Sequence, residues 1–103
     1  MTPFSDELLN LALGLATEWG DNFRKPIHER VRAVHPELTD AEIDELTTIA
    51  RCAESRIYVL CEDELAGLIS ESDIVPTAIR EFPWLSRSNA ARLSNIGMYY
   101  ARR

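Results

Sequence analysis

The sequence contains few residues that would interrupt a folded core. It has four glycines and five prolines among 103 residues, and no Gly/Ser-rich or Pro-rich tract, internal repeat or low-complexity segment. No linker is therefore indicated, and the length is typical of one domain. With 46% hydrophobic and 27% charged residues, the composition is that of a globular protein rather than a disordered chain. We predict a single helical domain over residues 1–103.

Signals for export and membrane insertion are also lacking. The first residues include Asp6 and Glu7 where a secretory leader carries basic residues, and the apolar segment 8–16 is too short to cross a bilayer. Two cysteines, Cys52 and Cys61, are too few for a disulfide framework. These absences favour a cytoplasmic protein that has no membrane partner and keeps both thiols reduced.

The sequence has no recognisable catalytic or metal-binding motif. It lacks G-x-S-x-G, a P-loop, G-x-G-x-x-G and H-E-x-x-H. On helices, Cys52 and Cys61 would lie on opposite sides, and His28 and His35 would lie about 10 Å apart, too far to share one metal ion. We therefore expect no metal and no cofactor. An enzyme with a non-local site, using His28 or His35 as a lone acid or base, remains an alternative.

Apolar residues recur every three or four positions along most of the chain, which predicts helices. Thr39 and Glu42 form a capping-box pattern, and Gly67 is placed to end the helix that begins there. The apolar run 57–61 resembles a buried strand, but no second strand is available to pair with it. We predict an all-α bundle of about five helices, at 4–19, 26–35, 40–66, 73–82 and 88–101.

The third predicted helix carries a regular apolar seam that ends where Glu64 takes the next seam position. Such a seam is typical of helices that pack at shallow angles, either within one chain or between two copies. A homodimer is therefore one hypothesis, and its contact residues would be Ile43, Leu46, Ala50, Ala53, Ile57 and Leu60.

Charge is distributed unevenly along the sequence. Residues 1–86 hold all 17 acidic residues and seven basic ones, for a net charge of −10, whereas residues 87–103 hold four arginines and no acid. An acidic body disfavours nucleic acid and favours a basic protein partner, although many proteins are acidic merely for solubility.

Acidic residues are concentrated near the end of the third helix, at Glu62, Asp63, Glu64, Glu71 and Asp73. Carboxylates at a helix C-terminus oppose the helix dipole and one another, and such a local conflict can indicate a functional surface. We predict a small acidic protein-binding module, possible forms being an inhibitor or immunity-type protein that masks a basic partner. The same residues are also consistent with a solvated face, or with internal pairing to the C-terminal arginines.

The C-terminal third suggests a different function. A short helix, a turn at 82–86 and a helix opening with Arg87, Asn89 and Arg92 have the order of a helix-turn-helix. The alternative hypothesis is a nucleic-acid-binding regulator that uses the C-terminal helix. Four arginines are a small electrostatic footprint for that role, and the acidic body would repel DNA.

Several aromatic residues near the C-terminus have two interpretations. Trp84, Tyr99 and Tyr100 would close a small core, or they would serve as anchors in a protein interface. Sequence spacing alone does not separate the two.

Overall fold

The computed structural model describes residues 4–18 and 25–102 and divides the chain into two compact units, Met1–Arg51 and Cys52–Arg103. Within the described ranges there are five α-helices and no strand, which confirms the all-α prediction. The helices are α1 (Asp6–Ala16), α2 (His28–Val34), α3 (Asp40–Leu65), α4 (Ile74–Glu81) and α5 (Arg87–Ala101). None of these helices combines the length and apolar character needed to cross a membrane.

In the first unit, α1 starts where Ser5 caps it, since the Leu8 amide donates to Ser5 Oγ at 3.2 Å. The predicted helix 4–19 is longer than α1, and its predicted last residue, Trp19, lies outside the described residues. The inward face of α1 consists of Leu9, Ala12, Leu13 and Ala16, all buried.

Helix α2 is shorter than the predicted range 26–35 because Pro26 does not open it. The first α2 hydrogen bond runs from the Val31 amide to the Ile27 carbonyl, at 2.8 Å. The Pro26 carbonyl instead accepts from Arg30 Nη2, at 3.3 Å. Helix α2 ends at Val34, and His35 is its C-cap, in agreement with the bias against helix immediately before a proline such as Pro36.

Helix α3 has 26 residues, and its two ends follow the predicted chemistry. The Thr39 amide donates to Glu42 Oε1 at 2.9 Å and the Glu42 amide donates to Thr39 Oγ1 at 3.2 Å, which completes the capping box. At the other end Gly67 adopts φ +81°, and the Gly67 and Leu68 amides donate to the Glu64 and Asp63 carbonyls, each at 2.9 Å. These two bonds form a Schellman motif, which favours glycine at the left-handed position.

The seam of α3 is covered by the chain itself. Its six side chains are between 0% and 3% exposed in the single chain: Ile43, Leu46, Ala50, Ala53, Ile57 and Leu60. The hypothesis of a homodimer through these residues is therefore wrong, because side chains already buried within one copy have no surface left to bury against a second.

In the second unit, a single 3-10 turn at Glu71–Asp73 precedes α4, so α4 starts one residue later than predicted. It ends at Glu81, with Phe82 before Pro83. Helix α5 begins at Arg87, one residue earlier than predicted, because Ser86 caps it by accepting from the Asn89 amide at 3.1 Å.

Candidate functional site

The five carboxylates of the predicted acidic surface do not all face solvent. Glu62, Glu71 and Asp73 are exposed and Asp63 is partly exposed. The Glu64 side chain is only 19% exposed, and its Oε2 lies 3.9 Å from Arg102 Nη2. This inward orientation follows from sequence position, because Glu64 is the residue that continues the seam of α3.

Glu64 and Asp73 each have a defined environment, and that of Glu64, beside Arg102, agrees with the alternative of internal pairing to the C-terminal arginines. Glu64 Oε2 is buried, and no hydrogen-bond donor reaches it from the described residues. Buried polar atoms in folded proteins usually have such a donor, and Arg102, 3.9 Å away, is the cation beside this one. Asp73 Oδ2 accepts from the Ser70 amide and the Ser70 hydroxyl, each at 3.0 Å, so Asp73 completes a capping box.

Large apolar side chains are exposed beside these carboxylates. Leu65 and Leu68 are 53% and 72% exposed at the end of α3, directly after Glu62–Glu64 and before Glu71 in the chain. Tyr99 is 56% exposed near the end of α5, and its ring lies 5.6 Å from that of Tyr100. Solvent-facing leucines within a charged surface are typical of protein-binding sites when they form a contiguous patch.

A shallow groove runs along α5 in the same unit. Two adjoining depressions share Glu71 and Asn95, and their α5 wall consists of Ala91, Ser94, Asn95, Met98, Tyr99 and Arg102. These positions recur at alternating steps of three and one, which places them on one helix face. From Ala91 to Arg102 that face spans about 16 Å, at roughly 1.5 Å per residue. Ser72 and Val75 contribute to the opposite wall.

The helix-turn-helix order of the C-terminal region is present as α4, residues 82–86 and α5. Of the predicted nucleic-acid contacts, Arg87 is exposed, whereas Asn89 Oδ1 accepts from Arg92 Nη2 at 3.3 Å. Residues 52–103 contain seven acidic residues and six arginines. Since phosphate binding requires a basic surface, this balance adds no support to the nucleic-acid alternative, which stays a prediction.

The histidines both lie beside carboxylates. His28 Nε2 is 2.8 Å from Asp44 Oδ1, and His35 Nδ1 is 3.2 Å from Glu37 Oε1. His28 lines a shallow polar groove whose other residues include Arg30 and Arg32. Among the described residues that line this groove there is no serine, threonine or cysteine. The enzyme alternative stays a prediction.

Cys61 and Cys52 have different environments. Cys61 is buried, and its Sγ donates to the Ser94 carbonyl at 3.5 Å, whereas Cys52 is exposed. Burial raises the pKa of the Cys61 thiol, which keeps it protonated and unreactive. Over the described ranges, no three His, Cys, Asp or Glu side chains converge on a possible metal position.

Arg56 and Glu81 join α3 to α4 by a bidentate ion pair. Arg56 Nε and Nη2 donate to the Glu81 carboxylate at 2.8 and 3.1 Å. The hydrogen bonds from Arg56 hold the pKa of Glu81 below its ordinary value of 4.5. Because the pKa of Glu81 is lower in the folded state than in the unfolded chain, the ion pair stabilises the protein fully at pH values above the ordinary pKa. This stabilisation is lost as the pH falls through the folded-state pKa.

We expect Glu81→Gln to lower the thermal unfolding midpoint at about pH 7 and to lower it less at about pH 3, because the wild-type pair is itself lost in acid. Circular dichroism melts at several pH values would measure the difference between the two proteins. Glu45→Gln, at an exposed carboxyl of α3, is the control. If Glu81→Gln lowered the thermal unfolding midpoint by the same amount at every pH, that result would contradict the assignment of the ion pair.

Comparison with known proteins yields no identity for this chain. It matches no family model, and no curated protein or solved structure shows significant similarity to it. Sequence reasoning found the carboxylates but missed the exposed leucines and the groove, although Leu65 and Leu68 follow the seam break at Glu64.

Proposed function

We propose that this chain is a small protein-binding module that uses the surface around the end of α3 to bind a basic partner. We call Glu62, Asp63, Leu65, Leu68 and Glu71 the α3-end surface. The observation that carries the proposal is that Leu65 and Leu68 are both more than half exposed between carboxylates that precede and follow them in the chain.

This combination of residues suits protein recognition for two reasons. Apolar side chains supply binding energy when a partner removes them from water, and a charged rim around them improves orientation and association rate. The carboxylates also oppose the dipole at the C-terminus of α3, whose last turn contains no basic residue. A basic partner would relieve that repulsion, so the arrangement is more favourable in a complex than in the free chain.

The partner most compatible with this surface is a cytoplasmic protein whose own site is basic. An inhibitor or immunity-type protein that covers a basic active site is one such form, since fast, electrostatically assisted association suits that role. Glu62, Asp63 and Glu71 are three of the seven acidic residues of 52–103, a stretch whose net charge is only −1.

The test is affinity capture from the native host with three baits, followed by kinetics on the purified partner. The baits are the wild-type chain, Glu62→Lys/Asp63→Lys, and the control Glu29→Lys/Glu45→Lys, which makes the same charge change at exposed residues of the first unit. We expect to capture a partner that binds the wild type and the control but not Glu62→Lys/Asp63→Lys, which we call the α3-end variant. Its association rate should fall with rising salt for the wild type, and the α3-end variant should weaken that dependence.

The opposite result is equally clear. If the captured partner associates with Glu62→Lys/Asp63→Lys at the wild-type rate and with the wild-type salt dependence, the carboxylates do not contribute to binding. The proposed function is then wrong.

A further inference from the structure

We draw no further inference here: the strongest candidate, the surface patch formed by Tyr58 on α3 and Tyr99 and Tyr100 on α5, leaves Tyr99 and Tyr100 exposed, but nothing among the described residues shows what would cover them.

Discussion

Ile57→Ala is expected to lower the free energy of unfolding by about 2–5 kcal/mol, the range for removing most of a buried aliphatic side chain. Ile57 is 0% exposed and belongs to the seam of α3. The loss combines the transfer free energy of the missing methyl and methylene groups with the cavity they leave. Urea unfolding followed by circular dichroism would measure it.

Val59→Ala is the matched control for this experiment. Val59 is 43% exposed on the same helix, so we expect its loss to be within roughly 0.5 kcal/mol, as for surface substitutions in general. In a strand, residues 57 and 59 would point to one face and would respond alike. A loss at Val59 as large as at Ile57 would therefore contradict the helical packing of this segment.

Gly97→Ala is expected to destabilise the protein by about 1–3 kcal/mol through overpacking. A Cβ atom at position 97 would lie 2.7 Å from Cys61 Sγ and 2.9 Å from Tyr58 Cδ1. The buried thiol and the aromatic ring leave little room for adjustment. The sign of this change in stability is informative because alanine favours a helix over glycine by about 1 kcal/mol. The substitution destabilises the protein only if the steric contact outweighs that preference.

Gly14→Ala supplies the opposite expectation in the same protein. Gly14 is in the interior of α1. Apart from its chain neighbours and the nearby backbone of α1, no atom of the described residues lies within 4 Å of a Cβ built there. That substitution should stabilise the chain by up to about 1 kcal/mol. Adding Cys61→Ala to Gly97→Ala should recover part of the lost stability, since it removes the nearer of the two clashing atoms. A stabilising Gly97→Ala, or no coupling to Cys61, would contradict the close approach of α3 and α5.

The local chemistry of the helix ends could be predicted from sequence because it depends on residues within one or two turns. The Thr39–Glu42 capping box and the left-handed Gly67 are both present as predicted. The less accurate boundaries have similarly local explanations. Arg30 Nη2 donates to the Pro26 carbonyl just before α2, and Ser86 caps α5, which begins at Arg87.

The candidate site was only partly predictable for a related reason. The sequence identified a concentration of carboxylates and placed Glu64 at the seam position of α3, but it could not show that Arg102 in particular lies beside Glu64 while Glu62 stays exposed. Glu54 is a second example, since this acidic residue of α3 is 2% exposed and accepts from the Tyr58 hydroxyl at 3.1 Å. Which carboxylate is buried depends on how the helices pack and not on residue type alone.

By itself, the sequence determined the helical class, the approximate helix bounds and the capping of α3, because these follow from periodicity and from side chains that contact their own turn. Tertiary structure alone decided that the α3 seam packs within the chain, that Leu65 and Leu68 remain exposed, and that one face of α5 lines a groove. These outcomes depend on which helix faces meet. Many pairings satisfy the same three- and four-residue recurrence, and packing of the folded chain selects among them.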